Sequence, residues 1–236
     1  MLELRQYTLH PGKRDVLIQL FDREFVESQE ILGMHVIGQF RDLDDPNRFV
    51  WLRGFRNMSE RADGLTAFYT GPVWKAHREA ANDTMIDSDN VLLLRPATPT
   101  SGFILENTER PQPDAKEIPG SLVVATIYYL DTSAEDDFVN FFEHSLKPVF
   151  TTAGVSPLAY FVTETSANNF PALPVREGEN VFIWFSRFRD ESAYGAFVVA
   201  LTNRERDVSI FGKLSRRITR EPEVLRLSPT VRSQLR

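Results

Sequence analysis

Residues 49–56 read FVWLRGFR, and residues 182–189 read FIWFSRFR. At this spacing of 133 positions Phe49, Trp51, Phe55 and Arg56 fall on Phe182, Trp184, Phe188 and Arg189, and Ser59 falls on Ser192. The same spacing lays VLLLRP at 91–96 over VLRLSP at 224–229. Upstream, a register of 121 holds without a gap from Leu4 to Phe40, placing Tyr7 on Tyr128, Leu9 on Leu130, Asp15 on Asp136, Phe21 on Phe142, Gly33 on Gly154 and Phe40 on Phe161. The two registers differ by twelve residues, one insertion lying between Phe161 and Val181. Two registers kept across both halves indicate a tandem duplication.

Each half carries the same succession of signals. A strand rich in Tyr, Leu, Ile and Val comes first, at Glu3–Leu9 and Val123–Leu130. Apolar residues at helical spacing follow: Leu17, Leu20, Phe21 and Phe25, then Phe138, Phe141, Phe142, Leu146 and Val149. Gly33 and Gly154 stand where such helices end, as C-terminal caps. Second strands are expected around Met34–Phe40 and Val155–Thr163, and third strands at Arg48–Phe55 and Val181–Phe188. The third strands are largely apolar on both faces, so both faces are covered. Second helices begin near Ser59 and Ser192, residues that cap well. The first of these is interrupted at Thr70-Gly71-Pro72, with Pro72 opening a new segment that runs to about Asn82. Fourth strands at Val91–Leu94 and Val224–Leu227 close each unit.

The order β-α-β-β-α-β is the ferredoxin-like split unit. Such a sheet carries helices on one face, and a second apolar face needs a partner sheet, which a duplicated chain supplies. The expected α+β fold is two tandem ferredoxin-like units, residues 1–98 and 120–236, packed as an α/β barrel within one chain. Between them, residues 96–120 hold five prolines and read as extended linker, 99–119 at its narrowest. Phe103, Ile104 and Leu105 are its apolar stretch, able to pack on a domain or add an edge strand.

The runs LRQYTLHPGKRDVLIQLF (4–21), FVWLRGFRNMSERADGL (49–65), PVWKAHREA (72–80) and NVLLLRP (90–96) resemble the NIPSNAP family. Tyr7, Pro11, Gly12, Trp51, Ser59, Arg61 and Trp74 stand at the positions of its pattern. The likeness covers residues 1–96 and is weaker over 120–236, where Pro11-Gly12 becomes Thr132-Ser133 and Trp74 falls on Asp207. It implies the dimeric α/β-barrel superfamily, which also holds cofactor-free monooxygenases, cyclases, lactone isomerases and haem-binding enzymes. The family brings no agreed catalytic residues with it.

Composition narrows the chemistry. The 236 residues are 42% hydrophobic and 25% charged, the balance of a globular protein. Cysteine is absent, which excludes disulfides, zinc–thiolate and iron–sulfur sites and a cysteine nucleophile. The net charge of −6 argues against general affinity for nucleic acid or anionic membrane. There is no signal-peptide pattern at the start and no apolar run long enough to span a bilayer, so cytoplasm is the expected compartment. No glycine-rich phosphate loop, HExxH or GxSxG is present, and no metal or cofactor is expected.

On the first strand Glu3, Arg5 and Tyr7 share one face; on the second His35, Ile37 and Gln39; on the third Phe49, Trp51, Arg53 and Phe55. With these faces turned into the barrel, Arg5, Tyr7, His35, Gln39, Trp51 and Arg53 line a pocket for a planar, partly anionic ligand, held by arginine and stacked on Trp51. A buried cation there needs Glu3 or a bound anion as partner. With the strands near an edge, the same groups are solvated. Trp74 and His77 lie on one helical face, and His77 is a second candidate base beside His35. His10 and His144 read as solvated. The stretch Arg204–Arg220 alternates basic and apolar residues, either a solvated face over a core stripe or a surface for an acidic partner or lipid headgroups. Two functions stay open. One is a barrel that binds a small hydrophobic or aromatic metabolite, with cofactor-free monooxygenase or isomerase-type chemistry. The other is a non-catalytic protein–protein interaction or scaffold module, its barrel filled by aromatic side chains. Homo-oligomers are compatible with either.

Overall fold

The computed structural model describes residues 1–105, 108–131, 135–202 and 208–236. In the first half β1 (Leu2–Leu9) leads into α1 (Arg14–Leu20), a π-helical turn (Phe21–Phe25) and α2 (Val26–Glu30). β2 (His35–Asp42), β3 (Arg48–Gly54), α3 (Met58–Thr70), α4 (Pro72–Asn82) and β4 (Met85–Pro96) follow. The second half runs β5 (Leu122–Tyr129), α5 (Glu135–Phe141), a π-helical turn (Phe142–Leu146), α6 (Lys147–Thr152), β6 (Ala159–Thr163), β7 (Val181–Phe188), α7 (Glu191–Thr202), α8 (Val208–Ser215) and β8 (Glu223–Pro229).

The correspondence between the halves reaches fine detail. The π-helical turns, one extra residue in each first helix, lie 121 positions apart. Gly33 and Gly154 both take positive φ, 82° and 91°, at the chain reversal that follows. The second helices start one residue before the serines expected to cap them, and the capping side chains stand two residues before those serines. Asn57 Oδ1 accepts from Glu60 N–H at 2.9 Å, and Asp190 Oδ1 from Ala193 N–H at 2.8 Å. β6 is shorter than expected, beginning at Ala159 rather than Val155.

The eight strands close into a barrel in the order β1-β3-β2-β8-β5-β7-β6-β4. The halves join where β2 pairs with β8 and β4 with β6, both antiparallel. The lumen is filled by Leu2, Leu4, Phe40, Val50, Leu52 and Leu94 from one half and Val123, Ala125, Ile127, Phe161, Ile183 and Phe185 from the other. Eight strands leave an interior that side chains can fill. Two further cores lie between barrel wall and helices, one per half. One end of the lumen is capped by linker residue Phe103, whose ring is 5.3 Å from Phe161 and 5.0 Å from Phe185. The described residues of the linker form no edge strand, and Ile104 points outward while Phe103 and Leu105 pack inward. At the other end Tyr129 Oη donates to Glu223 at 2.6 Å, and Gln6 Nε2 donates to the same carboxylate at 3.1 Å.

The wall is two-sided, and the candidate face points outward, not into the lumen. Leu2 and Leu4 fill the barrel, whereas Tyr7, Phe49 and Trp51 belong to the core under the helices. Period-two alternation says which residues share a face but not which face is inside. Here the narrow lumen takes mostly aliphatic side chains, and the long polar and aromatic ones go to the helix side.

Candidate functional site

The helix side of β1 and β3 carries a fully buried charge cluster. Glu3, on β1, sits opposite Arg53 on β3 in the ladder. Arg53 donates to Glu3 Oε2 from Nε at 2.9 Å and from Nη2 at 2.6 Å, and Arg5 Nη1 reaches the same oxygen at 3.0 Å. Arg61, from the first turn of α3, donates from Nε to Glu3 Oε1 at 2.7 Å. Glu3, Arg53 and Arg61 have no exposed side-chain surface, and Arg5 has 1%. Burial alone would raise the Glu3 carboxyl, but Arg53, Arg5 and Arg61 together pull it down to about 2. The Arg61 guanidinium is lowered by its burial, opposed by Glu3, and Arg53 and Arg5 repel it further.

The remaining bonds are made by neutral groups. Arg53 Nη1 donates to Gln29 Oε1 at 2.8 Å, Arg5 Nε to Tyr7 Oη at 3.0 Å, and Arg61 Nη1 to Asn168 Oδ1 and Asn169 Oδ1 at 3.0 and 2.8 Å. Arg61 Nη2 and Trp51 Nε1 are buried without a hydrogen-bond partner. Trp51 does not offer a free face for stacking: the guanidiniums of Arg53 and Arg5 lie 4.9 and 5.6 Å from its ring centroid. Beside the cluster is an aromatic-walled cavity of about 30 Å³, lined among others by Tyr7, Gln29, Trp51, Tyr69 and Trp74.

Asn168 and Asn169 belong to the connection between β6 and β7, residues 164–180, where the twelve-residue insertion falls. It crosses from the second half to lie over the first. Asn169 Nδ2 donates to the Met58 carbonyl at 2.6 Å, Phe170 lies 5.8 Å from the Tyr69 ring, and Phe170 and Leu173 pack on the first-half core.

Of the eight residues singled out in the sequence, Arg5, Tyr7, Trp51, Arg53 and Trp74 come together in this layer. His77 lies at its outer edge on α4, 3.4 Å from Glu24 Oε2 and edge-on to Phe25. His35 and Gln39 lie elsewhere. A bulge between Val36 and Gly38 breaks the alternation of β2. It leaves His35 exposed at the strand's start and sends Gln39 Nε2 to Asp22 Oδ1 at 2.9 Å. His35 instead lines an open cleft of about 600 Å³ at the capped end of the barrel, with Leu2, Ile37, Phe103 and Phe161 as apolar walls and Arg56 and Glu60 beside them. Glu3 was expected as a partner for a buried cation; Gln29, Asn168 and Asn169 were not recognised. Arg61 stands in the sequence reading as a position of the family pattern and not as a site residue, although it shares a helical stripe with Leu65 and Phe68.

The basic stretch near the C-terminus covers core. Leu214 is buried, Ile210, Phe211 and Ile218 pack against the second-half core, and Arg217 pairs with Asp137 at 3.1 Å over the Phe141 ring. Arg204–Asp207 lie outside the described residues, as do Thr132 and Ser133. Among the described residues no cluster of His, Cys, Asp or Glu could hold a metal ion, and no helix is long and apolar enough to cross a membrane.

Fold and site define an α/β-barrel protein whose first half carries the polar equipment. The NIPSNAP family model matches residues 2–100, the first half of the chain. No curated protein matches the chain. Among solved structures, it is similar to a candidate monooxygenase from Fusobacterium nucleatum subsp. nucleatum (TM-score 0.58, 9% identity, covering 97% of this chain and 91% of that one). A candidate monooxygenase from Lactobacillus acidophilus aligns with TM-score 0.55 at 14% identity (97% and 92%), and an anthrone oxidase-like protein with 0.57 at 12% (97% and 90%). At such identities the likeness is one of fold.

Proposed function

We propose that the protein is a tandem pair of ferredoxin-like units, 1–98 and 120–236, whose barrel-end cleft binds a small hydrophobic or aromatic metabolite. The carrying observation is the cleft itself: about 600 Å³ with Leu2, Ile37, Phe103 and Phe161 as apolar walls and His35 among its lining residues. That volume falls in the usual range for small-molecule sites, and few convergent polar groups on an apolar wall are their usual chemistry. The chemistry we assign is oxidation without a cofactor; the analogy to a monooxygenase or oxidase comes from the descriptions of the three similar structures, and the cofactor-free character is our own assignment. In that reading His35 takes a proton from an activated CH₂ of the substrate. The resulting carbanion reduces dioxygen, and the CH₂ ends as C=O with one water released, so that substrate plus O₂ gives ketone plus H₂O. His77 does not line the cleft and has no step in this scheme.

Anthrone is a suitable probe, since it carries such a CH₂. The wild type is expected to bind it saturably and to consume one O₂ per anthrone oxidised. His35→Ala should retain binding and lose turnover at least a hundredfold, whereas His77→Ala should retain both. Absence of both binding and oxygen uptake above the uncatalysed rate in the wild type refutes the reading. It would favour the interaction module, which the filled lumen (Phe40, Phe161 and Phe185 among its side chains) independently fits.

A further inference from the structure

The second half shows what the layer between barrel wall and helices requires for folding alone. The ladders of the two halves share one register: Glu3 opposite Arg53 corresponds to Val124 opposite Ser186, and Arg5 opposite Trp51 to Thr126 opposite Trp184. By the same registers Arg61 corresponds to Tyr194 and Gln29 to Phe150. Every charged member of the first-half cluster is thus uncharged in the second. There, Phe150 stacks on Trp184 at 4.5 Å and 11°, on the residue equivalent to the one that Arg5 and Arg53 cover in the first half. The fold closes well without these charges.

Against that reference the first half is out of balance. Three buried guanidiniums share one carboxylate, an excess of two positive charges, and Glu3 is the only carboxylate paired with them among the described residues. Buried charge is expensive unless paired. Arg61 Nη2 is a buried donor with nothing to donate to, whereas the unpartnered Trp51 Nε1 has its counterpart in Trp184 Nε1 of the second half and marks no difference between them. The cover over Arg61 is not a packed helix but the 164–180 strap, holding it with two side-chain amides.

We propose that Arg5, Arg53 and Arg61 form a binding site for an oxyanion, a carboxylate or phosphate group, and that the 164–180 strap closes over it. The guanidinium fork matches such a group in shape and charge. Glu3 keeps the three arginines apart and oriented, and the anion supplies the charge that Glu3 alone does not. The strap's amides and the ring of Phe170 shut the site from solvent. This site is separate from the barrel-end cleft and stands or falls without it.

The test uses the full chain with sodium phosphate and sodium benzoate as probes, and sodium chloride at matched ionic strength as the reference, since salt alone alters stability by screening the exposed charges. Either probe is expected to raise the melting temperature saturably above chloride. Hydrogen exchange across residues 164–180 should slow with the probe bound. Arg61→Gln should weaken the probe's apparent Kd at least tenfold, while Arg189→Gln, an arginine 84% exposed on the surface, should leave it unchanged. Stabilisation by phosphate alone assigns a free oxyanion; stabilisation by benzoate assigns a carboxylate-bearing ligand. If neither probe exceeds chloride, or if strap exchange is unaffected, the proposal is overturned. The exchange measurement on the wild type decides the matter even if Arg61→Gln does not fold.

Discussion

Replacing Glu3 by Gln tests the charge cluster directly, because the amide keeps the shape and removes the only negative charge. Glu3 takes four hydrogen bonds from three arginines, all buried. Its carboxyl is held at about 2 in the folded protein, against about 4.5 when unfolded. Each unit of difference is worth about 1.4 kcal/mol, so ionised Glu3 contributes about 3 kcal/mol at pH 7. The depressed pKa makes this stability present above pH 4.5 and progressively lost as pH falls toward 2; at pH 3 about 1.5 kcal/mol remains. Stranding the arginines adds to the loss, and breaking buried pairs typically costs about 3–5 kcal/mol. For a chain of this size a loss of about 3–5 kcal/mol should lower the melting temperature by about 6–20 °C. Urea titrations of both proteins at pH 7 and pH 3 measure the gap, and titration of the other carboxylates cancels between them. A loss below about 1 kcal/mol at pH 7, or a gap that does not narrow on acidification, would refute the idea that Glu3 is ionised and holds the three arginines.

Asp22 behaves oppositely. Burial raises its carboxyl to about 6, against the hydrogen bond from Gln39 and the charges of Arg232, Arg41 and Arg110. A raised carboxyl pKa means stability is lost as pH climbs from about 4 to 6, so Asp22→Asn should stabilise by about 2–3 kcal/mol above pH 6.5 and by nothing at pH 4, read from urea midpoints. Arg232 is the pin of the C-terminal tail, donating to the Asp22 carbonyl at 2.7 Å, the Pro111 carbonyl at 3.1 Å and the Glu27 carboxylate. Arg232→Ala should cost about 2–3 kcal/mol, speed hydrogen exchange of residues 230–236 and raise the Asp22 pKa further; unchanged exchange in the tail would contradict the role.

Much of the fold is written in the chain because the chain repeats itself. The positions of the β-strands, the glycine caps and the start of α4 at Pro72 follow from period and punctuation, which are local properties. Which face of β1 and β3 enters the barrel is not local. Leu2, Leu4, Val50 and Leu52 alternate with Glu3, Arg5, Trp51 and Arg53, and either set makes a coherent face; the choice depends on how eight strands close. For the same reason the polar residues of β1 and β3 were legible as a group but were assigned to the wrong side of the wall. His35 and Gln39 were separated from them by a bulge at Val36–Gly38, which has no sequence signal apart from the glycine. Asn168 and Asn169 were invisible, since nothing in a loop's composition says which distant helix it crosses.

The strap shows what carrying both halves on one chain permits. β2 and β3 are joined by five residues, 43–47, whereas β6 and β7 are joined by seventeen, 164–180, and the difference is the twelve-residue insertion. In a symmetric pair of identical chains both layers would carry the same charges and both connections the same length. A strap that covers the partner's site would then be matched by one covering its own, and both would have to be accommodated. Within one chain each half can change alone. The first keeps Glu3, Arg5, Arg53 and Arg61 beneath its helices; the second replaces them with Val124, Thr126, Ser186 and Tyr194 and spends its extra residues on closing the first. The second half thus acts on the first through Asn168, Asn169 and Phe170 as well as through the shared lumen. Cutting the strap should therefore loosen the first-half layer and leave the second-half core as it is.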